Sequence, residues 1–214
     1  MITEKKAMIK NGIILSLFAL ITTGLVTATQ IMTKDQIAMQ EKRQLLKVLE
    51  QVLPKGKYDN ELYLDCAIVK ASFLGNKKPH KVYRAKKDNI PVALIIESTA
   101  PDGYSGNIEV LSAIYLDGTV AGVRVLKHKE TPGLGDKVEV AKSQWITKIK
   151  NIQVKSEQDI RWAVKKDGGM FDQFTGATIT PRAVISAVKR ASLYAQNETD
   201  MLFDAANACA KVDK

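Results

Sequence analysis

The residues best equipped for chemistry lie in one short loop, Asp172-Gln173-Phe174-Thr175-Gly176-Ala177-Thr178-Ile179-Thr180, just ahead of a segment with helical spacing. Three threonine hydroxyls stand there as nucleophiles or hydrogen-bond donors. A phosphate group is favoured near the start of a helix, because several backbone amides lack partners and the helix dipole adds partial positive charge. Gly176 and Ala177 let an incoming group approach the backbone closely. Residue types alone stop at a phosphate-accepting loop, and a threonine-rich helix cap accounts for the same composition equally well. Gly133-Leu134-Gly135 lacks the third glycine and the βαβ setting of a dinucleotide fingerprint, so no NADH site is expected. His80 and His128 lie 48 residues apart with no cysteine at ligand spacing, so no protein-bound metal is expected.

Several elements must position that loop. Thr180 is expected to cap a final helix that begins with Pro181 and runs to about Asn197, with Val184, Ala187, Val188, Ala191 and Ala195 as its apolar face. Strand-like stretches begin at Lys81, with VYRAK and VALIIES joined by a turn over Lys86 to Pro91. Ile108 to Leu116 and Thr119 to Lys127 flank Asp117-Gly118, which predicts a hairpin with a two-residue turn. Trp145 to Ile149 reads as a short helix and Ile160 to Val164 as another strand. The fold class is α+β, not a regular βαβ alternation.

The uncharged run from Asn11 to Thr33 is 23 residues long, enough to span a hydrocarbon core of roughly 30 Å as a helix. Lys5, Lys6 and Lys10 precede it, which keeps the N-terminus in the cytoplasm and places everything after Lys34 outside. A signal peptide cleaved after Val26-Thr27-Ala28 is the alternative, and it exports the same domain. Asp35 to Leu53 is expected to form a separate amphipathic helix ended by Pro54 and Gly56. Cys66 and Cys209 both fall in the exported part, where oxidising conditions favour a disulfide; two inert thiols are the alternative. The net charge of +9 invites a nucleic-acid reading, but the basic residues are scattered in pairs such as Lys77-Lys78 and Lys165-Lys166, without a basic arm or an aromatic RNA-binding signature. No nucleic-acid partner is expected.

The pattern Asp172, Thr175, Gly176, Ala177, Thr178 resembles the flavinylation motif of FMN-binding domains, in which a flavin transferase moves FMN from FAD onto the last threonine. The segment His128-Lys129-Glu130-Thr131-Pro132-Gly133-Leu134-Gly135-Asp136 resembles the second signature of the same domain. With Asp102-Gly103-Tyr104-Ser105-Gly106, Trp162 to Gly169 and the N-terminal span, the chain is similar over nearly its whole length to G subunits of the Rnf (Rsx) ion-translocating electron transport complex.

The resemblance implies FMN joined by a phosphodiester bond to Thr178, with Thr175, Gly176 and Ala177 beside it. It implies that Glu130, Thr131, Gly133 and Leu134 line the isoalloxazine ring, while His128 stabilises the loop. It divides the chain into a cytoplasmic N-terminus (1–10), a transmembrane helix (11–33), a juxtamembrane helix and linker (34–80), a periplasmic FMN-binding domain (81–200) and a C-terminal tail (201–214). The expected role is an electron relay in the bacterial inner membrane, with other Rnf subunits, the flavin transferase and the lipid bilayer as partners.

Asp172 raises a separate question. A carboxylate about 6 Å from a phosphodiester is repelled by roughly 3 kcal/mol at an effective dielectric constant near 20, so Asp172 is expected to serve the modification step. A loop cap through backbone hydrogen bonds is its alternative. Two other functions compete: the C subunit of a sodium-translocating NADH:quinone reductase, which shares both signatures, and a non-redox exported binding module.

Overall fold

A computed structural model describes residues 2–209. The chain divides into two units, residues 1–45 and 46–214. Helix α1 (Ile2–Val52) provides the first unit and the opening turns of the second. An 18-residue window within Met8–Val52 reaches a mean hydropathy of 1.9, and Ile13, Leu15, Phe18, Leu20 and Leu25 stand exposed on the helix. Length and composition therefore suffice to cross a membrane. The hydroxyls of Thr22, Thr29 and Thr33 each donate to the carbonyl four residues back, at 2.8–2.9 Å, so these polar groups need no water. The uncharged run and the amphipathic stretch after it form one continuous helix. No proline or glycine lies between Gly24 and Pro54, and the Lys, Glu, Gln, Met and Leu that fill the interval favour helix.

The second unit is built on a six-stranded antiparallel meander in sequence order: β1 (Cys66–Val69), β2 (His80–Lys87), β3 (Ile90–Ala100), β4 (Ile108–Tyr115), β5 (Thr119–Lys127) and β6 (Ile152–Gln153). Helix α2 (Ile179–Asp204) covers one face. Val82, Leu94, Ile96, Val110 and Ile114 point to that face and pack against Val184, Ala187, Val188 and Ala191, as the small apolar stripe of α2 requires. Tyr83, Ile95, Leu111 and Ala113 alternate to the other face. There the last turn of α1 buries Leu49, Val52 and Leu53, and Arg124, the ladder partner of Leu111, donates to Gln51 at 2.9 Å. Burial on both faces explains why β3 reads as a nearly unbroken apolar run.

Several local expectations change. The sheet begins at Cys66 rather than Lys81, because the four-residue β1 is held by pairing with β2 and not by any periodicity of its own. The β2–β3 turn is narrower than Lys86 to Pro91: Asp88 and Asn89 both have positive φ and Lys87 pairs with Ile90. The Asp117-Gly118 turn is wider, with Leu116 joining the loop and Gly118 donating back to Tyr115 at 2.9 Å. Ile160 to Val164 is not a strand. The Asp159 carboxylate accepts from the Arg161 amide and guanidinium, the chain turns there, and only Val164 bridges to Phe171. A two-residue strand forms earlier, where Ile152 and Gln153 pair with Val120 and Thr119.

Helix α2 starts two residues before Pro181 and runs on to Asp204. Buried Arg84 holds its far end, with one guanidinium nitrogen reaching the carbonyls of Phe203 (3.1 Å) and Ala205 (2.6 Å) while Asp65 pairs with the same group. Beyond the helix, Cys209 is bonded to Cys66 with Cα atoms 5.3 Å apart, and Ala208 donates to the Cys66 carbonyl at 2.8 Å. The tail is thus fastened to the edge strand.

Candidate functional site

Three segments that are remote in sequence meet at the start of α2. The first is the turn between β3 and β4, which carries Tyr104. The second is the stretch after β5 from His128 to Asp136, continuing into a 3₁₀ turn at Gly135–Val138. The third is the loop from Phe171 to Thr178. Between them lies a cavity of about 250 Å³ lined by Tyr104, Glu130, Thr131, Leu134, Gly135 and residues 176–180.

The threonine loop is fixed from below. Phe174 is buried against Trp145 in an edge-to-face contact with centroids 5.0 Å apart, and the Trp145 indole donates to the Asp172 carbonyl at 2.7 Å. Ala177 donates back to the Phe174 carbonyl at 3.1 Å, closing a four-residue turn in which Gly176 has φ +79°. A side chain there would be strained, so Gly176 is dictated by the turn.

The second segment is equally constrained. The Thr131 carbonyl accepts from the amides of Leu134 and Gly135, at 3.2 and 3.1 Å. His128 Nδ1 accepts from the Glu130 amide at 3.0 Å and its Nε2 meets Glu139 Oε1 at 2.6 Å, which places the ring proton on Nε2. His128 therefore organises the loop and does not line the cavity. A Cβ on Gly135 would stand 2.8 Å from Thr180 Oγ1 and 2.9 Å from Glu130 Cβ; only glycine lets this segment touch the helix start.

Glu130 joins the first two segments to the head of α2. Its side chain is buried, with the residue 4% exposed; Oε1 accepts the Ser105 amide at 2.9 Å and Oε2 accepts the Thr180 hydroxyl. Thr180 is thus not the cap of α2, as expected from sequence, because its hydroxyl is committed to Glu130. Thr178 occupies the capping position instead, and its side chain makes no capping bond. Thr178 is among the residues that line the cavity at the first turn of α2. Helical bonding starts with Arg182 donating to the Thr178 carbonyl, which leaves the amides of Ile179 and Thr180 outside the helical ladder.

Of the residues singled out from sequence, Glu130, Thr131, Leu134, Gly176, Ala177 and Thr178 line one cavity. Gly133 and Thr175 lie in the adjoining turns and do not line it. Tyr104, Gly135, Ile179 and Thr180 line it without having been assigned to the cofactor site. An aromatic in the glycine-rich Asp102 to Gly106 turn was the available signal for Tyr104. Three of the lining residues remain unusually bare for apolar side chains: Tyr104 is 68% exposed, Leu134 42% and Ile179 45%.

Asp172 is not a bare charge beside the cavity. Its half-exposed carboxylate pairs with Lys165 at 2.6 Å and Lys148 at 3.6 Å. The Lys165 ammonium, and to a lesser degree Lys148, hold it below the usual carboxylate range. This pairing offsets the repulsion anticipated from sequence. Among the described residues no cluster of three or more histidine, cysteine, aspartate or glutamate side chains is arranged to hold a metal ion.

A family model described as an FMN-binding domain matches residues 103–193, which contain every residue lining the cavity. A second, described as the RnfG N-terminal region, matches residues 1–52 and ends where α1 ends. The chain is 50% identical over 206 residues to the G subunit of the ion-translocating oxidoreductase complex of Pseudoalteromonas atlantica, covering 96% of both chains. It is 54% identical over 191 residues to that of Escherichia coli K12, covering 89% of this chain and 92% of the relative. The chain belongs to the G-subunit family of ion-translocating oxidoreductase complexes. Within that family, the cavity at the head of α2 lies wholly inside the FMN-binding domain, and α1 constitutes the N-terminal region. Family membership also decides between the G-subunit reading and the two competing readings of the sequence in favour of the former.

Proposed function

We propose that this chain is the FMN-bearing subunit of an Rnf-type membrane complex, with FMN joined through a phosphodiester bond to Thr178. It relays electrons between other subunits outside the bacterial inner membrane. The observation that carries the reading is the Thr178 hydroxyl. Thr178 sits in the capping position of α2 without a side-chain capping bond, and it is among the residues that line the cavity, beside helix amides outside the ladder.

The residues suit the group. The helix start favours a phosphate, and the hydroxyl is placed to be esterified. The bare faces of Tyr104, Leu134 and Ile179 match a planar apolar ring system. At about 250 Å³ the cavity is below the roughly 300–1,000 Å³ of sites that enclose a ligand, so the ring would be covered on one side and open at an edge. An open edge suits a carrier that exchanges electrons with other proteins. FMN supplies reversible electron transfer once bound; the chain orients it and sets its surroundings.

Attachment is an exchange at phosphorus. The Thr178 oxygen bonds to the flavin-side phosphorus of FAD, the bond to the adenylate half breaks, AMP leaves, and the hydroxyl proton is released. Asp172 serves this step from outside the cavity. Its carboxylate, between Lys165 and Lys148, stands on the exposed surface that a flavin transferase would meet. The basic flank of the span supports a cytoplasmic N-terminus and an external domain, and the Cys66–Cys209 bond supports an oxidising compartment.

Visible absorption of denatured, washed protein tests the attachment, since only a covalent flavin survives that treatment; peptide mapping should place it on Thr178. Colourless protein from cells that contain the transferase, or a flavin mapped to Thr175 or Thr180, would refute the assignment. A reporter fused beyond Lys34 should read outside the cytoplasm. A mature protein beginning near Thr29 and released from membranes by salt would overturn the anchor.

A further inference from the structure

Among the residues that line the cavity, Glu130 alone carries a charge. Asp136, also buried, belongs to the adjoining turn and does not line the cavity, which leaves Glu130 as the carboxylate against the bound group. Both of its oxygens accept, one from the Ser105 amide and one from the Thr180 hydroxyl, so it ties the Tyr104 turn, the post-β5 segment and the head of α2 together.

Such ties do not require a charge. A glutamine has the same shape and can accept and donate at the same two places, and burying a carboxylate costs more than burying an amide. A charge kept at this position therefore points to a role for the charge itself. We infer that Glu130 is the positioning residue of the cofactor cavity and that its fixed negative charge holds the flavin's reduction potential down. The inference rests on the attachment proposed above. Reduction brings electrons into the cavity, and a carboxylate shielded from water opposes the added negative charge much more strongly than one in bulk solvent. The Thr180 hydroxyl and the Ser105 amide moderate that charge by donating to it, and they also keep it in place.

The test is a potentiometric titration of the full-length, covalently labelled protein in detergent, with dithionite as reductant. Glu130→Gln should shift the midpoint potential, read on the fraction of protein that carries flavin, to more positive values. Glu130→Asp, which keeps the charge, should move back toward wild type. Thr180→Val removes a donor from the carboxylate and should shift the potential the opposite way, to more negative values, whereas Thr180→Ser should leave it in place. A labelled Glu130→Gln protein with an unmoved potential overturns the inference. If that variant does not fold, an unmoved potential in Thr180→Val overturns it instead. A purely structural role predicts lowered stability without shifts of opposite sign. Absence of covalent flavin from the wild type would sink the attachment reading itself, an outcome distinct from a labelled protein whose potential does not respond.

Discussion

Replacing Thr178 by alanine separates a hydroxyl that holds a helix end from one that receives a cofactor. A threonine that caps a helix with its side chain is worth about 1–2 kcal/mol when cut to alanine. In a body of this size each kcal/mol moves the melting temperature by about 2–4 °C, so loss of a true cap would lower it by about 2–8 °C. Thr178 makes no side-chain capping bond and is only half-buried, so the change should remain within about 0.5 kcal/mol, or under about 2 °C. The comparison uses protein made without the transferase, so that the cofactor's own contribution does not enter. Calorimetry then reports stability, and intact mass after exposure to transferase and FAD reports labelling. Full loss of label with an unchanged melt is the expected pair of results. A melt lowered by several degrees would mean that the hydroxyl supports the helix in solution, and retained label would mean that another residue is the acceptor.

Arg84→Met should cost about 3–5 kcal/mol, because it leaves Asp65 and the last carbonyls of α2 without their buried partner; thermal melts should fall by about 6–20 °C, and protein that still folds should keep its label. Cys66→Ser or Cys209→Ser removes a link across 143 residues, a loss of up to about 5 kcal/mol by chain entropy, and reductant should lower the wild-type melt toward the same value without removing the flavin. Hydrogen bonds from the Arg161 guanidinium hold the Asp159 carboxyl well below its ordinary value of 3.8. Its contribution to stability is thus present above about pH 3.8 and lost as pH falls further, so wild type and Asp159→Asn should differ at neutral pH and converge in acid, a trend readable by melts across pH. Asp172→Asn should slow labelling by purified transferase steeply while thermal stability barely changes; a normal labelling rate would remove Asp172 from that step.

The sequence by itself carried whatever depends on neighbours along the chain. The apolar run from Asn11 to Thr33 needs only length and lack of charge to be able to cross a membrane as a helix. Strand-like composition between turn residues marked β3, β4 and β5, helical spacing marked the buried stripe of α2, and the resemblance carried by the two signature segments marked Thr178 and Glu130. What depends on partners far away was hidden. Strand β1 exists because β2 pairs with it; the Ile160 to Val164 segment, by contrast, fails to be a strand for a local reason, the Asp159 carboxylate accepting from the Arg161 amide and guanidinium. The continuity of α1 past Lys34 reflects the absence of a breaker between Gly24 and Pro54. Thr180 and Thr178 differ little as local helix caps. Only the arrival of Glu130, 50 residues earlier in the chain, commits the Thr180 hydroxyl, while Thr178 lines the cavity without a side-chain capping bond. Lys148 and Lys165 reach Asp172 in the same way, by folding, and their two ammonium groups offset the charge of its carboxylate at the surface. Local pattern names the hydroxyls and carboxylates present, but their competing hydrogen bonds are settled only when the sheet and α2 bring remote loops within about 3 Å of each other.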